Sequence, residues 1–293
     1  MRGLNNEKRY ALLDSLRGLL LLEMIVYHFF WDLVYLFEQD LPWFHSSLCY
    51  WWQQSICWRF IFLSGFCWPL GKRAVRRAVQ VFGGSVLVMV ITHIFVPDQA
   101  VTFGVLFFLG SGMLLLEMLD RWLYRLAPVW GITVSGMLFF LTRNINDGYL
   151  GFEDWNFFKI PEQLYLNKFT TYVGFTEAGF FSSDYFSLMP WFFLYLAGYY
   201  CLRFCEALGG LPQIFDYGSG CLSFFGRRSL LVYLLHQPLL YLLLTSILGC
   251  TKPGRRAEKK FPEPGKRAHW RGKNLSPTIV FSSKTGERPW KRN

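Results

Sequence analysis

RYALLDSLRGLLLLEMIVYHFFWDLVYLF, residues Arg9 to Phe37, decides how the rest of the chain is read. The run is long and apolar enough to cross a bilayer, which takes about 20 residues, yet it carries Asp14, Arg17, Glu23, His28 and Asp32. At about 100° per residue, Asp14, Arg17, His28 and Asp32 fall within roughly 60° of one another, while Glu23 points the opposite way. Each ionisable group in hydrocarbon costs a few kcal/mol or more. A span that only anchors would not keep such a column, so this side is expected to face other helices or a wet cavity. It reads as a catalytic face.

The composition agrees with a membrane setting. Of 293 residues, 53% are hydrophobic, 19% aromatic and only 17% charged, whereas soluble domains carry about 25% charged residues. A polytopic membrane protein is the expectation. The first apolar run is too long and too charged for a secretory signal and lacks a small-residue cleavage site, so it is expected to stay as a span. The net charge of +10 belongs to the end of the chain, where residues 251–293 hold 13 Lys and Arg against 3 Asp and Glu. The first 250 residues are balanced, and nothing there favours nucleic acid as a partner. The seven cysteines include no CxxC pair and several lie in apolar runs; they read as packing thiols, with neither a zinc site nor a disulfide framework indicated.

Apolar runs at about 16–37, 48–70, 78–96, 103–119, 126–142, 187–208 and 229–249 predict an all-α, polytopic transmembrane helix bundle of about seven spans. The fourth and fifth are short and could form a tilted or re-entrant pair. Lys and Arg gather on the inner side of membranes. With the N-terminus inside, Arg2, Lys8, Arg9, Arg17, Lys72, Arg73, Arg76, Arg77, Arg121, Arg125, Arg203, Arg227 and Arg228 lie inside, and only Arg143, Lys159 and Lys168 outside. The longest connection, 143–186, is then outer, acidic and aromatic, and loops of that length usually carry function. Residues 1–250 are expected to form one membrane-embedded domain, and 251–293 a disordered basic tail. That tail's charge favours the inner face, against an odd number of spans.

Several constellations could carry chemistry. His28 and Asp32, four residues apart on a helix, are neighbours, so the carboxylate can orient the imidazole and stabilise its protonated form, as an acyl-transfer base requires. The alternative is a polar pair that glues helices together. Asp14 and Arg17 form an i,i+3 pair at the inner mouth, where Arg17 could instead hold a phosphate or carbonyl of a donor. Arg59, inside the second run, needs a partner, and Asp32 and Glu23 are the candidates. His45, near Trp43 and Trp51, is a second candidate base or an interfacial aromatic. His93 ends the third run. Lys72, Arg73, Arg76 and Arg77 could receive the phosphates of a nucleotide donor, although the positive-inside bias alone explains them. Asp184 stands at the outer mouth. His236 and Gln237 place a polar step in the last run, where Pro238 frees a backbone carbonyl.

Three collinear segments, RYALLDSLRGLLLLEMIVYHFFWDL (9–33), GFFSSDYFSLMPWFFLYLAGYY (179–200) and GRRSLLVYLLHQPLLY (226–241), resemble small bacterial relatives of the heparan-α-glucosaminide N-acetyltransferase catalytic domain. The LD-x-x-RG start followed by a His also resembles the wider membrane acyltransferase superfamily. The resemblance implies a membrane-bound acyltransferase, N- or O-directed. It would take an acyl group from cytoplasmic acyl-CoA, usually acetyl-CoA, and place it on an amine or hydroxyl of a sugar or glycan outside, with no metal. His28 matches the first-span His of the superfamily. His45 lies nearer to the essential His of the lysosomal relative, upstream of a phenylalanine-rich segment like FIFLSG (60–65), so two histidines compete for the role. The chain has fewer spans than the larger relatives, so a complete donor channel would need a homodimer or is absent. The resemblance places the protein in a bacterial cytoplasmic membrane. The rival reading is a transporter, or an assembly partner that uses the charged first span as a polar path or packing surface.

Overall fold

In the computed structural model, residues 9–249 are described; the basic tail expected over 251–293 lies outside them. A helix stands on each of the seven apolar runs: α1 (Ala11–Tyr35), α2 (Ser47–Cys67), α3 (Ala74–Phe95), α4 (Val105–Leu123), α5 (Pro128–Leu141), α7 (Leu188–Ala207) and α9 (Ser229–Leu248). Of these, α1, α3 and α9 are long and apolar enough to cross a membrane, and α5 is a shorter apolar helix. At 1.5 Å per residue, the 14 residues of α5 reach only about 21 Å. Length and hydropathy therefore support three crossings directly, short of the seven expected.

Two differences from an all-helical bundle appear. The long segment 143–186 has structure of its own: an antiparallel hairpin of β1 (Tyr149–Phe152) and β2 (Trp155–Lys159), followed by the short helix α6 (Lys168–Val173). In addition, α8 (Gly220–Arg227) precedes the last span. Its eight residues are too few for a periodicity to stand out in sequence.

The described residues fall into two compact units. The first comprises 9–72 and 202–249, and so contains α1, α2, α8 and α9; the second comprises 73–201. In the first unit α1 is the centre, packed by α8, α9 and α2. Glycine makes the α1–α8 contact possible. A Cβ at Gly18 would stand 2.0 Å from the Leu222 carbonyl oxygen, and one at Gly226 would stand 1.8 Å from the Asp14 carbonyl oxygen. Close approach through small residues is a common way to join helices where water supplies no driving force. Polar side chains complete the joint: Ser15 Oγ and Ser223 Oγ are 2.8 Å apart, and Ser223 Oγ donates to the Ala11 carbonyl at 3.1 Å. The LDSLRG and GRRS motifs thus meet largely as packing surfaces.

In the second unit, α3 and α4 pair closely, with Gly110 against Phe82. Tyr199 Oη donates to Asp120 at 2.6 Å and Tyr200 Oη to the Leu123 carbonyl at 3.1 Å, tying α7 to the end of α4. Arg143, wholly buried, pairs with Glu153 at 3.2 Å and lies over the Trp191 ring, its guanidinium carbon 5.1 Å from the centroid. This cation fastens the hairpin to the helical part of the unit.

Candidate functional site

The polar column of α1 divides into two stations. At the first, Asp14 is buried and accepts from Arg17 Nη1 and from Arg9 Nε, each at 2.9 Å. Arg17 is therefore an ion-pair partner of its own helix. Eleven residues further on, about 16 Å along the axis, His28 and Asp32 form the second station on the same side, where α9 packs.

At that second station α9 contributes His236 and Gln237. Gln237 Nε2 donates to Asp32 Oδ1 at 2.6 Å. The rings of His28 and His236 lie with centroids 5.0 Å apart, inclined at 55°. His236 Nδ1 lies 2.5 Å from the carbonyl oxygen of Tyr233, one turn back on α9. Asp32 is fully buried and His236 nearly so, at 0% and 7% exposure. The hydrogen bond expected between His28 and Asp32 is not among those the described residues make; the carboxylate is held by α9 instead.

Three buried atoms of this cluster have no hydrogen-bond partner among the described residues: Asp32 Oδ2, His236 Nε2 and Gln237 Oε1. An unmatched buried polar group costs about 1–3 kcal/mol, and three of them stand together here. Pro238 adds to this polarity, because it has no N–H to bond the carbonyl of Leu234.

The other candidates stand apart from this cluster. Arg59 pairs with Glu23, Nη2 to Oε2 at 2.5 Å and Nη1 to Oε1 at 3.3 Å, on the opposite side of α1. Of the two partners open to it, Glu23 is the one it takes. His45 is exposed at the end of a 3-10 turn (Pro42–His45), its ring 6.3 Å from those of Tyr35 and Phe44. Lys72 ends the first unit, while Arg73, Arg76 and Arg77 open α3 in the second; Lys72, Arg73 and Arg76 are exposed and Arg77 half-buried. Asp184, in the second unit, caps α4 by accepting from the Val105 N–H at 3.0 Å. Its neighbours do related work: Ser182 Oγ accepts from Thr102 N–H at 2.8 Å, and Ser183 Oγ donates to the Gln99 carbonyl at 2.7 Å. His93, also in the second unit, has Nδ1 2.8 Å from the Met89 carbonyl. Among the described residues no group of three or more His, Cys, Asp or Glu is arranged to hold a metal.

A family model described as heparan-alpha-glucosaminide N-acetyltransferase, catalytic, matches residues 9–238. The chain belongs to that family. The match runs from the start of α1 to Pro238 and so takes in both halves of the α1–α9 cluster. Membership in the heparan-alpha-glucosaminide N-acetyltransferase catalytic family supports a membrane acetyltransferase. No protein of curated function and no solved structure matches the chain.

The structure adds what the sequence could not supply. The role of the Tyr233 carbonyl has no sequence signal, because a backbone acceptor is the same in every residue. The partnership of Asp32 with Gln237 spans 205 positions, and only the His-Gln-Pro interruption of the last apolar run hinted that something polar should meet it.

Proposed function

We propose that the protein transfers an acetyl group from acetyl-CoA to an amine or hydroxyl of a sugar or glycan outside the membrane, at the α1–α9 cluster. The observation that carries this reading is the set of unmatched buried polar atoms beside two imidazoles, within a chain of the acetyltransferase family. The N-terminus lies inside, as the distribution of Lys and Arg favours. Acyl-CoA approaches from that side. The extended arm that carries the thioester then reaches along α1 toward His28 and Asp32. An imidazole of the cluster takes the proton of the attacking amine or hydroxyl, and the Asp32 carboxylate favours the cation that results.

Radiolabelled acetyl-CoA and glucosamine, supplied to the purified protein in nanodiscs, provide the test. Loss of transfer in His28→Ala and in Asp32→Asn, with transfer kept in His45→Ala, is the expected pattern. Transfer that survives both cluster substitutions and disappears with His45→Ala would move the chemistry to the 3-10 turn. Solute flux through proteoliposomes without acyl-CoA would favour a transporter instead.

A further inference from the structure

We propose that His236, on the last span, is the general base of the site, and that Gln237 positions the acceptor beside it. This assignment rests on the acyl-transfer reading above and specifies which nitrogen does the work. The Tyr233 carbonyl oxygen can only accept, so the proton of a neutral His236 ring sits on Nδ1, 2.5 Å away. Nε2 then carries the lone pair. A backbone bond of this kind is how proteins fix the reactive nitrogen of a histidine, and here the whole device lies within one turn of α9. His236 is 7% exposed and its Nε2 has no partner among the described residues.

The two other unmatched atoms point the same way. Gln237 gives its Nε2 to Asp32 Oδ1, which leaves its Oε1 as an acceptor. Asp32 Oδ2 is an acceptor too when the carboxylate is ionised. All three unmatched atoms are therefore acceptors, and what completes them is a group rich in N–H or O–H. The reacting thioester group itself carries no N–H or O–H, the amides of the pantetheine arm standing two carbons and more from its sulfur, whereas the attacking amine or hydroxyl carries its proton on the reacting atom. These atoms accordingly belong to the acceptor's side of the reaction.

The step balances as follows. The acceptor nitrogen or oxygen forms a bond to the thioester carbonyl carbon while its proton passes to His236 Nε2. The carbon–sulfur bond breaks, and the departing thiolate takes that proton from the imidazolium. Acetylated acceptor and free CoA leave, and His236 returns to its starting tautomer. His28, with its ring 5.0 Å from that of His236, serves as a positioning residue that holds the imidazole in place.

Full-length protein in nanodiscs, with acetyl-CoA and glucosamine, tests this. In His236→Ala, transfer should fall by about 100-fold or more, the usual contribution of a general base, while acetyl-CoA still binds as in wild type. Added imidazole should restore part of the activity of His236→Ala and none of His28→Ala. Full transfer in His236→Ala overturns the assignment, and rescue of His28→Ala alone hands the role to His28 while the acyl-transfer reading stands. A wild-type protein that moves no acetyl group to glucosamine or to water removes both. A second measurement needs no variant: diethyl pyrocarbonate, which acylates unprotonated imidazole nitrogen, should modify His236, as mapped by mass spectrometry, and glucosamine should protect it. If His45 is modified and His236 is not, the available lone pair is absent and the assignment falls.

Discussion

Gln237 on α9 donates to the fully buried carboxylate of Asp32 on α1 at 2.6 Å. This one contact joins helices from opposite ends of the described chain and gives the polar face of α1 a partner on α9. A buried carboxylate that kept only its own helix for company would be costly in hydrocarbon. Across the helix boundary it meets an amide that offers a proton and keeps an oxygen for something else.

Removing that amide should therefore hurt stability as well as transfer. Gln237→Leu leaves the Asp32 carboxylate without its donor, and a hydrogen bond to a charged group contributes about 1.5–3 kcal/mol. The double variant Asp32→Leu/Gln237→Leu should recover most of the lost stability and remain inactive. Thermal unfolding in detergent, alongside acetyl transfer, separates the two effects. A single variant as stable as wild type would show that the bond contributes nothing.

The α1–α8 joint should be intolerant of any side chain. Gly18→Ala and Gly226→Ala each drive a methyl into a backbone carbonyl oxygen, at 2.0 Å and 1.8 Å. Overpacking of this kind costs about 1–3 kcal/mol, and backbone cannot step aside as a side chain can. Both variants should unfold at lower temperature, whereas Gly136→Ala on α5, where a Cβ meets nothing within 4 Å, should not. Equal melting of all three would contradict the close approach.

Arg59 and Glu23 lie near the middle of their helices, so each neutralises the other in an apolar setting. Glu23→Gln should destabilise the protein more than Glu23→Gln/Arg59→Met does, because the single change leaves the guanidinium without its carboxylate while the double change puts an apolar chain in its place. Yield of folded protein and melting temperature report the order. The reverse order would mean that the pair is not a unit.

Arg143 should hold the hairpin in place. Arg143→Met removes the ion pair with Glu153 and the cation over Trp191, and breaking a buried pair costs about 3–5 kcal/mol. Limited proteolysis should then cut within 149–159 before it cuts elsewhere. An unchanged pattern would assign the anchoring to other contacts, such as Asn144 Nδ2, which donates to the Glu153 carbonyl at 2.7 Å.

The sequence was a good guide wherever the physics is local. A period of 3.6 residues put Asp14, Arg17, His28 and Asp32 on one side of α1 and Glu23 on the other, and the observed partners divide in just that way. It was a poor guide to which groups touch. The i,i+4 spacing of His28 and Asp32 suggested a bond, yet the carboxylate turns to Gln237. Asp184, expected at a substrate mouth, caps α4. Helix α8 was missed because eight residues show no clear period, and the hairpin because every residue of β2 is exposed and so shows no alternation.

By itself, then, the sequence determined the membrane class, the helical runs, the polar side of the first span and, through three motifs, the family. Those properties follow from side-chain hydropathy and from the fixed geometry of the helix, both of which are readable one segment at a time. Only the tertiary structure decided that His236 and Gln237 meet His28 and Asp32, that glycine brings α8 against α1, and which atoms of the cluster are left unmatched. Helical periodicity says which residues share a face, but what that face meets depends on how helices far apart in the chain pack together.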